Sequence, residues 1–273
     1  MKNNVCTVLV CSCDKYRDVE GPFVALWRKF WPDCPFETIV LSETGAADGF
    51  DRAILTGPGL TWCEMLAEAL EQIATPYVLM LMNDYFLDAP VDTAKILARL
   101  EDARRFDAAS LRLNPNPPGR TPWRDTDLME MPKDVAYCVT CQTSIWNRGV
   151  LLGLARRNRS AWEFERRGSF MAGGEKRPLL VTRRKELPFR DAVHKGYWEP
   201  AGLKLCRENG IDLSGVARTL PPFRVRLAEG AKALVFHIVP NTLLVRFQNR
   251  FGLGAKSVGT PPPDRSASVG ACR

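Results

Sequence analysis

Apolar residues along this chain follow two alternating rhythms. Nearly unbroken short runs occur at Val5–Cys13, Phe36–Ser42, Tyr77–Met82 and Ala108–Leu113, with a briefer one at Arg52–Leu55. Runs that skip the usual apolar–polar alternation suit strands covered on both faces, as in a parallel sheet. Between them, apolar positions recur every three or four residues. Thr61–Ile73 puts Trp62, Met65, Leu66, Ala69, Leu70 and Ile73 at the helical period. Thr61 followed three residues later by Glu64 has the form of a capping box. Phe23–Phe30, ahead of Pro32, and Val91–Phe106, with Asp92 as its cap, predict two more amphipathic helices. Strands alternating with helices predict an α/β fold whose mostly parallel sheet is flanked by helices.

The regularity fades after residue 113. Residues 114–132 are rich in Pro, Arg and Asp and predict a mobile loop or lid. A strand is expected over Tyr137–Ile145, a helix start at Gly149–Arg157, a basic strand at Pro178–Leu187 and a helix at Leu203–Asn209 that Gly210 terminates. The expected organisation is an α/β half over 1–113, a less regular half of the same domain over 114–225, a basic amphipathic segment over 226–253 and a disordered tail over 254–273.

Composition narrows the setting. The 273 residues are 45% hydrophobic and 25% charged, as in an ordinary globular protein, and the net charge of +7 favours anionic partners. No basic stripe interleaved with aromatics accompanies that charge, so nucleic acid is not expected. Met1-Lys-Asn-Asn leads straight into the first strand-like run, and no run approaches the length of a membrane span. The nine cysteines are therefore expected to be reduced, structural thiols of a cytoplasmic protein. Cys138 and Cys141 form a CxxC, but no second pair or histidine cluster completes a zinc site.

The chemistry begins where Tyr77–Met82 ends, at Asn83-Asp84-Tyr85. Ligands of open α/β sheets collect at the carboxyl ends of strands, where a carboxylate can hold a divalent cation against phosphate oxygens. The plainer alternative is a turn with a solvated aspartate. The order of short motifs adds to this. Val8-Leu-Val-Cys11-Ser12-Cys13-Asp14-Lys15-Tyr16, Trp62, Asn83-Asp84-Tyr85, Gln142-Thr-Ser-Ile145-Trp146, Trp162-Glu163-Phe164-Glu165 and Gly196-Tyr197-Trp198 follow one another over roughly residues 5–200. In that order the chain resembles bacterial GT-A-type glycosyltransferases, particularly small ones found among surface-polysaccharide genes. The resemblance implies a Rossmann-like GT-A sheet, a nucleotide-sugar donor such as a UDP-sugar, and a divalent Mg or Mn ion. It also implies an Asp-x-Asp-like motif, from which this chain departs by carrying Asn83 where an acidic residue is usual.

Roles follow from the resemblance. Ser12, Asp14 and Tyr16 would hold the donor's base and ribose, against the alternative of a capped turn. Asp84 would bind the metal, and Asn83 would offer a neutral carbonyl or bond the donor sugar. His194 is a second metal candidate and Lys195 a candidate partner of the diphosphate, set against an ordinary loop histidine. Glu163 and Glu165 are candidate general bases, of which only one can face a reaction centre if the segment is helical; Glu165 is preferred. The alternative is a surface helix start with both acids paired to Arg166 and Arg167. Trp162, Gln142 and Trp146 are candidates for the acceptor side, or for the core. Arg156, Arg157 and Arg159 read as a solvated face, and His237 as a core or membrane-facing residue.

The expected function is inverting transfer of a sugar to a hydroxyl of a glycan or lipid-linked glycan in cell-surface polysaccharide synthesis. Residues 228–251 are expected either to make peripheral contact with the inner face of the membrane or to pack as a helix pair interrupted at Pro240. A nucleotidyltransferase is the rival enzyme class, though Ser12-Cys13-Asp14-Lys15 lacks the glycines of its phosphate loop. A degenerate sugar-nucleotide-binding module is the non-enzymatic alternative.

Overall fold

Each buried strand divides its side chains between two apolar layers. Strand β1 (Cys6–Cys11) sends Cys6, Val8 and Val10 to one face and Leu9 and Cys11 to the other. Strand β4 (Tyr77–Met82) divides likewise, Tyr77, Leu79 and Leu81 against Val78 and Met80. Helices α1 (Glu20–Phe30) and α3 (Thr93–Arg105) cover the first face. Helices α2 (Trp62–Gln72), α4 (Arg148–Ala155) and α5 (Ala161–Met171) cover the second. The result is three layers, helix–sheet–helix, which the doubly apolar strands require. The computed structural model describes residues 4–133 and 135–222, of which those up to Leu220 form one unit. The segment expected over 226–253, with His237 and the membrane contact at 228–251, and the tail over 254–273 lie outside the described residues.

The remaining strands of the large sheet are β2 (Glu37–Ser42), β3 (Arg52–Leu55), β6 (Ser110–Arg112), β7 (Thr121–Pro122), β8 (Leu128–Glu130), β9 (Ser144–Asn147) and β10 (Leu179–Thr182). Their order is β3-β2-β1-β4-β9-β6-β10-β8-β7. Strands β1, β2, β3 and β4 are parallel, β9 runs against both β4 and β6, and β10 is again parallel to β6. With β8 antiparallel to β10 and to β7, only β8 and β9 of the nine run against the rest. The sheet is thus mixed in its pairing but mostly parallel in strand direction. Two small antiparallel pairs complete the described strands. Strand β5 (Tyr85–Leu87) joins β11 (Phe189–Asp191), and β12 (Val193–His194) joins β13 (Tyr197–Trp198).

Local sequence sets the helix ends. Thr61 and Glu64 form the expected capping box on α2, and the Asp92 carboxylate accepts the Lys95 N–H at the start of α3. Asn147 and Ser160 cap α4 and α5 in the same way. Helix α6 (Pro200–Glu208) begins three residues before the expected start, because Pro200 suits the first turn, and Gly210 follows it at φ +64°.

Two expectations fail. Residues 114–132 are not a free lid: they contain β7 and β8 and are tied down by charge. Arg99 of α3, nearly buried, donates to both Asp127 oxygens (2.5 and 2.8 Å) and both Glu186 oxygens (2.8 and 3.0 Å). The strand expected at Tyr137–Ile145 is confined to Ser144–Asn147. The preceding loop is held instead by Arg112, whose guanidinium donates to the carbonyls of Asn116, Pro117, Tyr137 and Cys138. Among the described residues no helix is long and apolar enough to cross a membrane. Every described cysteine is a free thiol, and burial pushes Cys11 and Cys63 up to about 12, where they are chemically inert.

Candidate functional site

Strands β1 and β4 end in register, Cys11 beside Met82, so the loops after them emerge side by side. The Asn83 N–H donates to the Cys11 carbonyl (3.1 Å), which continues the pairing one residue further. Asn83 is buried, and its side-chain amide donates to Ser12 Oγ (2.8 Å) and the Tyr16 carbonyl (2.9 Å). Ser12 Oγ in turn donates to Glu20 Oε1 (2.5 Å), while Glu20 Oε2 accepts the Ala47 N–H (2.7 Å). Burial raises the Glu20 carboxyl above its ordinary range, against these hydrogen bonds. Ser12 and Asn83 thus join the two strand ends to each other. Neither the role of Glu20 nor this chain of bonds is visible in the sequence, because Ser12 and Asn83 stand 71 positions apart.

Asp14 is exposed and also engaged. Its carboxylate accepts from the Thr44 hydroxyl (2.6 Å), the Thr44 N–H (3.1 Å) and the Arg17 guanidinium. The Thr44 hydroxyl and then Arg17 hold its pKa below the usual carboxylate range, despite some desolvation. Tyr16 carries Arg218 over its ring, 4.3 Å from the centroid. Arg218 also binds the Asp18 carboxylate (2.8–3.1 Å) and the carbonyls of Lys15 (2.6 Å) and Gly196 (3.2 Å). It therefore ties the loop after β1 to the β12–β13 hairpin, a link that a separation of 200 positions between Asp18 and Arg218 hides from sequence reasoning.

Asp84 lies between β4 and β5, where its carbonyl accepts the Ala192 N–H (2.8 Å) from the end of β11. That pairing brings Asp191 beside it. Burial, and then the Asp191 charge, push the Asp84 carboxyl up to about 7, while Arg218 pulls the other way. Partial desolvation raises Asp191 too, although the residue is exposed on its strand, with Lys185 and His194 opposing. The tight approach of α6 fixes this arrangement. A Cβ on Gly202 would lie 2.5 Å from Ala192 Cα, so only glycine lets α6 pack against the strand that carries Asp191. His194 and Lys195 are exposed on the hairpin, whose Lys195-Gly196 turn has φ of +51° and +83°, the type I′ pattern of two-residue hairpins.

Glu165 approaches from α5. Its Oε1 accepts the Thr140 hydroxyl (2.8 Å) and the Cys141 N–H (2.9 Å), in the loop leading to β9. Burial, and then the Asp84 charge, raise the Tyr85 phenol above its ordinary value. Glu163 is elsewhere on the helix. It is exposed, and its carboxylate accepts the Arg159 N–H (2.9 Å) at the helix start. Gln142 Oε1 accepts from Asn114 (2.8 Å). Trp146 is in the core, 1% exposed and edge-on to Phe164, and Trp162 is 68% exposed. A cavity of about 360 Å³ lies among residues of α4, the end of α5 and β10; of the expected site residues only Trp146 lines it.

Among the described residues no three His, Cys, Asp or Glu side chains are gathered to hold a metal ion. The donor set that is present, Asp84 with Asp191, still suits a hard cation. It offers carboxylate oxygens, and a cation would offset the desolvation that raises both groups and the Asp191 charge that adds to it at Asp84.

No family model matches the chain, and no curated protein does. Solved structures with partial likeness include a fragment of Staphylococcus aureus TarS, residues 1–349, at 14% identity and TM-score 0.43, covering 69% of this chain and 59% of that one. A cytidylyltransferase from Leptospira borgpetersenii is similar at 11% identity and TM-score 0.41, covering 76% of this chain and 96% of that one. A CMP:2-keto-3-deoxy-manno-octonic acid synthetase complexed with CTP is similar at 11% identity and TM-score 0.43, covering 75% of this chain and 97% of that one. The chain spans about three fifths of the TarS fragment. With TM-scores below 0.5, none of these likenesses assigns a function.

Proposed function

We propose that the protein is a GT-A-type glycosyltransferase that moves a sugar from a nucleotide sugar to a hydroxyl of a glycan or lipid-linked glycan, with inversion. The observation that carries this reading is the pairing of β5 with β11, which puts Asp191 beside Asp84 where β4 ends next to β1. Asp84 and Asp191 are the pair assigned to the diphosphate, and Glu165, held by Thr140 and Cys141 in the loop leading to β9, is the carboxylate assigned to deprotonate the acceptor.

In the proposed reaction the acceptor O–H gives its proton to Glu165 as its oxygen bonds the anomeric carbon. The bond from that carbon to the phosphate oxygen breaks, and the nucleoside diphosphate leaves with the electron pair. The bonds from Thr140 and Cys141 both fall on Oε1, so Oε2 is the oxygen assigned to the proton. Thr140 and the Cys141 N–H fix the carboxylate in place. On the donor side Asp84 and Asp191 would hold Mg or Mn, with His194 at the rim. Such an ion would supply positive charge to the leaving diphosphate. Arg218 and Lys195 would add fixed positive charge, and Tyr16 a face for the base once Arg218 turns toward phosphate. The proposed setting is surface-polysaccharide synthesis, with Trp162 and Gln142 at the acceptor side.

A thermal-shift screen of UDP-, GDP- and CMP-sugars, with and without Mn, tests the donor. A metal-dependent rise in Tm with one nucleotide sugar supports the reading. A rise with nucleoside triphosphates alone would favour nucleotidyl transfer instead.

A further inference from the structure

The outer face of α5 carries aromatic side chains that are left exposed among the described residues. Trp162 is 68% exposed and Phe170 83% exposed, with exposed Arg166 midway between them. Their i, i+4, i+8 spacing confines the three to one stripe of the helix. Two indole- and phenyl-sized groups left in water are costly unless something else covers them.

The charge around the stripe says what that is. Residues 156–177 hold seven Arg or Lys and three Glu; with Arg156 paired to Glu71 and Arg177 to Asp107, the five remaining cations still outnumber the three acids, in a chain of net charge +7. All three acids are occupied locally: Glu163 accepts from the Arg159 backbone, Glu165 from Thr140 and Cys141, and Glu175 from Arg177. Arg159 and Lys176 are exposed at opposite ends of the helix. An exposed Trp and Phe in line with basic side chains match the interface of an anionic bilayer, where rings enter the headgroup layer and cations meet lipid phosphate.

We infer that this face of α5 docks the protein onto an anionic lipid surface. The inference does not depend on the transferase reading.

The test is co-sedimentation of the full chain with phosphatidylcholine vesicles, with and without phosphatidylglycerol. The native protein should bind only the anionic vesicles, and less as salt rises. Trp162→Ser/Phe170→Ser should bind them roughly tenfold more weakly with an unchanged melting temperature, since both side chains are exposed. Three results would overturn the inference: no binding by the native chain, equal binding by the double variant, or loss in the variant of a dimer of the native chain instead of a loss of vesicle binding.

Discussion

Asp84 carries most of the chemistry assigned to the donor side, and its titration gives a test that needs no substrate. Its carboxyl is raised to about 7 in the folded chain, against an ordinary value near 4, so folding favours its neutral form. The stabilising contribution is complete below the unfolded pKa and is lost as pH rises through about 7. The metal-free protein should therefore melt at a lower temperature at pH 8 than at pH 6. Asp84→Asn should flatten that step; an unchanged pH profile in the variant would remove Asp84 from this role. Glu165 acts only as the acceptor is deprotonated. Glu165→Gln should lower kcat about 10²–10⁴-fold while nucleotide affinity stays near that of the native chain. Glu163→Gln should cost little turnover, because its carboxylate serves the start of α5. The reverse pattern would exchange the two glutamates.

At the scale of elements, position rests on close packing and caps. Gly202→Ala drives a methyl against Ala192 and should destabilise the fold by about 1–3 kcal/mol, with a loss of turnover beyond that expected from stability, since Asp191 moves too. Urea unfolding beside kcat measures both effects. The helices and strands of the first half were legible because their signals are local: the capping box of Thr61 and Glu64, the Asp92 cap and the Tyr77–Met82 run each specify their own segment. What escaped is long-range. Strand β9 reads as part of a longer strand at 137–145, but Arg112 takes the carbonyls of Tyr137 and Cys138 out of any ladder. Asp191 lacked a motif, because only the pairing of β11 with β5 puts it beside Asp84. Asn83 was legible as the missing acid of its motif, whereas its bond to Ser12 depends on the register of β1 and β4.

Across the whole described unit, one buried ionic cluster ties the irregular half to the helical layer. Arg99 holds Glu186 and Asp127 against α3, with Asp102 on the same guanidinium. Arg99→Met leaves the buried Glu186 without its main partner and should cost about 3–5 kcal/mol. Differential scanning calorimetry would register this as a fall in Tm of roughly 10 °C; a fall of only a degree or two would mean that residues 114–132 are held by other contacts. The proposed transfer depends on the β5–β11 pairing that sets Asp191 beside Asp84 and on the loop bonds that hold Glu165 of α5. The most direct measurement is release of nucleoside diphosphate from a panel of nucleotide sugars, with Mn and a glycan acceptor, by the native chain, Asp84→Ala and Glu165→Gln. Turnover of one donor by the native chain, lost in both variants while Glu165→Gln still binds the nucleotide, is the predicted result. Full turnover in either variant, or no turnover of any donor despite nucleotide binding, would contradict it.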